Sequence, residues 1–270
     1  MMNKETMVNQ EKPEGVVEDD PAIAGGTARD RAERLTRTIR DQSFPNVKPR
    51  DSATLILIDR AEQVPKVLLG RRHHSHRFLP GKFVFPGGRI EPVDGQMAAA
   101  AALHAHHIDK LMQRMKRPSL AKAAAFALAA VRETYEETGI MLGVRADGTM
   151  RVPPGPWQAF ADAGVVPDLS AVHFVARAIT PPGRPLRFDS RFFTADVSAI
   201  ARLDDGFVGP DKELVELVWL PMTQARQLDM PGITAVVLEE LQDRIAAGMV
   251  RDHPVPLYRM LNKRFVREVL

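Results

Sequence analysis

The sequence predicts a mixed α+β domain in which a β-sheet is sandwiched between helices, and three features carry that prediction. Short apolar and β-branched runs cluster at SATLILID (52–59), VPKVLLGRR (64–72), SAVHFVARAIT (170–180) and LVELVWL (214–220), which read as strands. Between the early and late runs lies a long alanine-rich segment bounded by Ser119 and Gly139, with helix-forming composition and a start and stop residue in place. Strands and helices do not alternate at a regular spacing. That argues against a repeating βαβ array and for a mixed sheet packed between helices.

Taken in order, residues 1–27 are polar, carry prolines and glycines and few large apolar side chains, and read as a disordered tail. Charge then changes sign: the first 30 residues hold seven acids against three bases, whereas 31–50 hold six bases against two acids. Residues 28–50 are therefore a basic lead-in, with ARDRAERLTRTIRDQ (28–42) as a short helix. The main domain spans 51–270. After its first two strands, KFVFPGG (82–88) is a short extended piece ending in a Pro-Gly-Gly turn. Residues 95–119, with the runs MAAAAAL and HAHH, are expected to form a helical insertion broken at Pro118. Ser119 then caps a second helix that runs to Thr138, where Gly139 stops it. PGPWQAFADAGV (154–165) predicts a short helix and SRFFTADV (190–197) a strand. Residues 221–270 are expected to be C-terminal helices, at 221–247 and 256–268.

Composition removes several functional classes. With no cysteine among 270 residues, the chain has no disulfide, thiolate nucleophile or cysteine-ligated zinc. No apolar run approaches the roughly 18 residues that cross a bilayer. The stretch MMNKETMVNQEKPEG lacks the apolar core of a secretory signal, so a cytoplasmic location is expected. A net charge of +3 suits an anionic substrate, while two Trp and two Tyr give little of the aromatic interleaving that nucleic-acid binding requires.

The most informative stretch is RETYEETG (132–139), at the end of the apolar helix. Residues three and four apart share a helix face, so Glu133, Glu136 and Glu137 point the same way and repel one another. A divalent cation with hard-oxygen preference, Mg²⁺ or Mn²⁺, relieves that repulsion. Arg132 is placed to brace a carboxylate one turn on. The competing reading is a solvated helix end, where glutamates are common.

The order R-E-x-x-E-E-x-G followed by Ile140 is more specific, and resembles the second half of the Nudix box. FPGGRIEPVD supplies the first half, with Gly87, Gly88, Glu91 and Asp94. Asp94 stands where the family has Glu, and 37 residues (95–131) intervene before Arg132, far more than the box ordinarily allows. A long insertion at this place resembles the peroxisomal coenzyme A diphosphatases and their bacterial relatives. VLLGRRHHSHRFLPGKFVFPGG (67–88), RFDSRFF (187–193) and ELVELVWLP (213–221) resemble that branch too. The resemblance covers about residues 50–225.

The resemblance implies a Nudix fold and a hydrolase that cuts a diphosphate linkage. Carried onto matching positions, Glu133, Glu136 and Glu137, with Gly87, hold Mg²⁺ or Mn²⁺; Arg132, Glu133 and Glu137 are catalytic. Arg71, Arg72, Gly87 and Gly88 contact substrate. Glu213 and Glu216 are further candidates for the base, set against a plain role flanking a strand. The implied substrate is a small nucleotide diphosphate, coenzyme A or an acyl-coenzyme A. ADP-ribose, NADH and dinucleotides are the alternatives, and a non-catalytic nucleotide- or RNA-binding module is the alternative class. Such modules typically lose box glutamates, and this chain keeps them. His104, His106 and His107 form an HxHH group whose spacing admits a zinc pair. The insertion reads better as a helical lid or a homodimer surface.

Overall fold

The computed structural model describes residues 26–270 except 39, 77 and 149. Most of the expected disordered tail, residues 1–25, thus lies outside the described residues.

Apolar side chains on both faces build the central strand. In β1 (Arg50–Asp59), Leu55 and Leu57 belong to one buried cluster and Ile56 and Ile58 to another, as period-two geometry demands. Ahead of it α1 (Ala28–Arg37) starts from a capping box between Thr27 and Asp30. β2 (Lys66–Arg72), β3 (Phe83–Val84) and β4 (Gly87–Arg89) follow, and then α2 (Ala105–Met112) and α3 (Leu120–Thr138). Next come β5 (Ile140–Leu142), β6 (Val144–Arg145), α4 (Gln158–Ala163), β7 (Val165–Val166), β8 (His173–Ile179), β9 (Phe188–Asp196) and β10 (Ile200–Leu203). The chain closes with β11 (Leu214–Pro221), α5 (Met222–Ala225), α6 (Gly232–Ala246), β12 (Pro256–Leu261) and β13 (Arg264–Val269).

Among the described residues the main sheet has nine strands, ordered β11-β2-β1-β9-β8-β12-β13, with β3 on β2 and β4 on β1. It is mixed: β1 and β9 run parallel, as do β8 and β12, while the other pairs are antiparallel. One face carries α3, α4 and the inserted segment over Leu55, Leu57, Leu68 and Phe174. The other carries α1, α5 and α6 over Ile56, Ile58, Val67 and Val175. No described helix is long and apolar enough to cross a membrane.

α3 forms as its sequence dictates. The Ser119 hydroxyl accepts from the Lys122 amide at one end, and Gly139 adopts a left-handed φ of 75° at the other. A side chain at Gly139 would also overlap the Asp204 carbonyl. The basic lead-in docks on the domain: Arg31, 5% exposed, pairs with Glu239 at 3.0 Å, Glu240 at 3.0 Å and Asp243 at 2.6 Å on α6.

Three expectations need correction. The insertion at 95–119 is helical only in α2 and a short 3-10 turn at Asp94–Gln96. Its alanine run is extended, because Ala100 and Ala101 exchange backbone bonds with Pro167 and Leu169 while Met97 and Leu103 anchor it in the core. Tertiary pairing overrides the propensity of alanine. Residues 221–247 are not one helix but α5 and α6, the latter starting after Pro231. The helix expected at 256–268 is the β12–β13 hairpin, at the edge of the sheet. Asn262 and Lys263 have φ of 47° and 64°, the two positive values of a type I′ turn, and that turn chemistry decides the hairpin.

Candidate active site

Two pieces of chain far apart in sequence meet through one guanidinium. Arg132 on α3, 2% exposed, donates from Nε to Asp94 Oδ1 at 2.8 Å and from Nη2 to Asp94 Oδ2 at 3.0 Å. The partners are 38 positions apart, and Asp94 is fully buried. Nη2 also donates to the Arg89 carbonyl at 2.9 Å, while Nη1 reaches Glu133 at 2.9 Å and Glu136 at 2.7 Å. Burial alone opposes the charge on Arg132, but Asp94, Glu133 and Glu136 outweigh it and hold the guanidinium more firmly protonated than usual. The planar fork of Arg makes this possible, and Lys cannot replace it. The fork accepts the shorter acid Asp94 because the 3-10 turn brings that residue under α3; Asp94 also accepts from the Glu91 amide at 2.8 Å.

The glycine turn completes the enclosure. The Gly87 amide donates to Glu137 Oε2 at 3.1 Å. At Gly88 any Cβ would overlap the Glu133 carboxylate, so the absent side chain is what admits the glutamate. Burial first, and then repulsion from Glu136, pushes the Glu133 carboxyl up to about 7 despite the attraction of Arg132. Glu137 is pushed well above the ordinary carboxylate range, by burial and then by the charges of Glu213 and Glu133. Glu136 is raised by burial too, though its carboxylate is the most exposed of the three.

The remaining predicted residues pair with one another. Arg71 Nε donates to Glu216 at 2.7 Å, and Arg72 Nη2 to Glu213 at 2.8 Å. The expected phosphate grips are thus bound to the expected bases. The Arg72–Glu213 pair borders Glu137, and buried Nε of Arg72 has no hydrogen-bond partner among the described residues. The sequence did not single out a pocket of about 250 Å³ beside Thr138, between Phe207 and Trp219. Its signal was the turn DDGF (204–207) and the strand that carries Trp219.

His104, His106 and His107 belong elsewhere. His104 caps α2, and His107, fully buried, packs its ring 5.3 Å from that of His173 on β8. Among the described residues, no three histidine or acidic side chains stand close enough together to hold a metal ion between them, in the glutamate cluster or here.

The paired halves of the box, on a mixed sheet between helices, have a counterpart among solved structures. A Nudix hydrolase from Alicyclobacillus acidocaldarius is 30% identical to this chain, over 72% of this chain and 90% of its own, with a TM-score of 0.53.

The chain belongs to the Nudix hydrolases.

It is therefore an enzyme of the family that hydrolyses pyrophosphate linkages. Fainter likenesses are the Nudix domain of Shewanella oneidensis NrtR complexed with ADP ribose, at 16% identity over 79% of this chain and 97% of that one (TM-score 0.40), and a MutT protein from Methanosarcina mazei, at 17% over 74% and 96% (TM-score 0.40). No family model matches the chain. Nudix hydrolases generally use divalent metals such as Mg²⁺ or Mn²⁺.

Proposed function

We propose that this Nudix hydrolase cleaves the diphosphate of coenzyme A or an acyl-coenzyme A, yielding two phosphate monoesters by addition of one water. The observation that carries the hydrolytic reading is the surplus of buried negative charge where Glu133 and Glu137 meet the Gly87–Gly88 turn, with both carboxyls raised. Coenzyme A is favoured by the resemblance of the segments 67–88, 187–193 and 213–221 to that branch.

The donor set fits Mg²⁺ or Mn²⁺. Its members are hard carboxylate oxygens in excess of local positive charge, and Mg²⁺ characteristically takes one or two carboxylates and completes its shell with water and substrate phosphates. A ready-made cage of three side chains is not needed for that mode. Glu133, Glu136 and Glu137, with Gly87, would hold the ion. When bound it neutralises phosphate oxygens and acidifies water.

The rest of the chemistry belongs to the chain. Arg132 fixes Glu133 and Glu136 in orientation, and the Gly87 amide fixes Glu137. Glu133 or Glu137 would accept a proton from the attacking water. Arg71, Arg72 and the Gly87–Gly88 turn, which borders Glu133 and Glu137, would contact the substrate phosphates. The pocket between Phe207 and Trp219 suits an apolar or aromatic portion of the substrate.

The test is cleavage of coenzyme A, acetyl-coenzyme A, ADP-ribose, NADH and diadenosine polyphosphates with Mg²⁺ or Mn²⁺, alongside Glu133→Gln. Preferred turnover of the coenzyme A compounds, lost in the variant, is expected. Preference for another diphosphate would overturn the substrate, and undiminished turnover by Glu133→Gln would overturn the site.

A further inference from the structure

A second cleft opens next to the box and has no part in the chemistry above. Its volume is about 1020 Å³, and it is lined by Arg89 and Ile90 of the box, Lys48–Asp51 of the lead-in, the loop 114–117, Lys122, and residues of β8 and β9. Nine of the lining side chains are Lys or Arg and two are Asp, so its field is strongly positive.

The floor is built, not merely decorated. Arg177 and Arg191 are 5% and 2% exposed. Arg177 forms a two-bond fork with Asp189 at 2.8 and 2.7 Å. Arg191 Nη1 contacts Asp51 at 2.8 Å and the Asp189 carboxylate at 3.2 Å, and its guanidinium stacks 3.9 Å over Phe126. Its Nε is buried with no hydrogen-bond partner among the described residues. Two arginines are thus held rigidly on two carboxylates, with seven more cations around them and one donor unused. Arg177 and Arg191 are buried and the other seven cations stand exposed or half-exposed around them, so an anion entering the cleft would meet a surplus of positive charge.

The geometry also gives a distance. Arg89 follows Gly88, which abuts Glu133, and Arg89 pairs with Ser52. From Ser52 the chain runs back to Lys48, which also lines the cleft, over at most roughly 13 Å at 3.3 Å per residue. The adjacent residues Gly88 and Arg89 thus border the glutamates and the cleft respectively. Among the described residues no aromatic side chain lines the cleft, so base stacking along a nucleic-acid strand is not provided for.

We propose that this cleft binds a phosphomonoester carried by the same nucleotide whose diphosphate is cleaved at the box, so that the enzyme selects diphosphates bearing an additional phosphate. This rests on the hydrolytic reading of the glutamates, and two readouts separate the two. The first is kcat/KM for coenzyme A against dephospho-coenzyme A, which differ only in that phosphate. The expected ratio is at least about tenfold, the worth of one charge-assisted hydrogen bond. It should collapse towards one in Lys116→Ala/Arg117→Ala, which alters only the exposed rim, while turnover of dephospho-coenzyme A is unchanged. The second is calorimetric binding of adenosine 3′,5′-bisphosphate against adenosine 5′-monophosphate, which needs no catalysis. Tighter binding of the bisphosphate, weakened by the double variant, supports the subsite even if nothing is hydrolysed. Equal turnover and equal binding of each pair overturn it while leaving hydrolysis intact. Inorganic phosphate that alters turnover of both substrates equally through these residues overturns it in favour of a free-anion effector site.

Discussion

The domain buries two groups of glutamates on helices, and they are treated in opposite ways. Glu239 and Glu240 on α6 are each 3% exposed and fully matched: Arg31 and Arg34 bind Glu239, while Arg31, Arg267 and the Tyr258 hydroxyl bind Glu240. Burial would raise the Glu240 carboxyl, but those partners outweigh it and leave it lower than usual. Glu133 and Glu137 share little more than Arg132 and one backbone amide, and both are raised. Residue type is the same and Glu137 is buried much as Glu239 and Glu240 are, with Glu133 half-buried; the count of cations differs. A matched cluster is an internal brace joining α1, α6 and the β12–β13 hairpin. The unmatched one is where the proposed Mg²⁺ or Mn²⁺ would supply the missing positive charge.

The comparison can be broken at either end. Glu137→Gln should lower kcat on the order of a thousandfold, the scale of losing a group that stabilises charge in the transition state. Its thermal midpoint in metal-free buffer should be no lower than that of the parent, since Gln removes a repelled charge. A lowered midpoint would mean that Glu137 is a brace like Glu240. Conversely, Glu240→Gln should cost about 3 kcal/mol in denaturant unfolding, because Arg31 and Arg267 lose a buried partner. Turnover per folded molecule should be preserved, and its loss would erase the distinction.

A third prediction concerns imidazole nitrogens with no hydrogen-bond partner among the described residues. His107 and His173 join the inserted segment to β8, and burial followed by neighbouring positive charge lowers them to about 3 and about 4. Both ring nitrogens of His107, and Nδ1 of His173, lack hydrogen-bond partners among the described residues. Because the folded values lie below the unfolded value of about 6.5, the unfolded state binds more protons beneath that pH. Their contribution to stability is complete above 6.5 and is lost as pH falls through 4 and towards 3. The loss is roughly 1.4 kcal/mol per pH unit for each imidazole. His107→Leu should remove about one proton's worth of this slope between pH 6 and 5, measured as the difference between the two proteins' urea unfolding curves. An unchanged slope would mean that His107 ionises in the fold. The smallest effect is at the hairpin: Lys263→Gly relieves the left-handed backbone at φ 64° and should add about 0.5–1 kcal/mol.

Much of the candidate site was legible because it is local. The spacing of Glu133, Glu136 and Glu137 on one helix, the cap at Ser119, the stop at Gly139 and the Gly87–Gly88 turn all follow from residues a few positions apart. Hydrophobic alternation likewise placed β1, β2, β8, β9 and β11. Arg71, Arg72, Glu213 and Glu216 were legible as charged residues but not as partners of one another, because β2 and β11 pair them across 145 and 141 positions.

The sequence by itself determined the helix, its carboxylates and the two halves of the box, since each depends on local period and cap chemistry. Only the tertiary structure decided that Asp94 meets Arg132, that the alanine run is extended, that 256–268 is a hairpin, and that Arg177, Arg191 and the lead-in enclose a positive cleft. Those outcomes rest on long-range pairing and on the balance of charges brought together from distant segments. That balance is a sum over neighbours, and the chain acquires its neighbours only by folding.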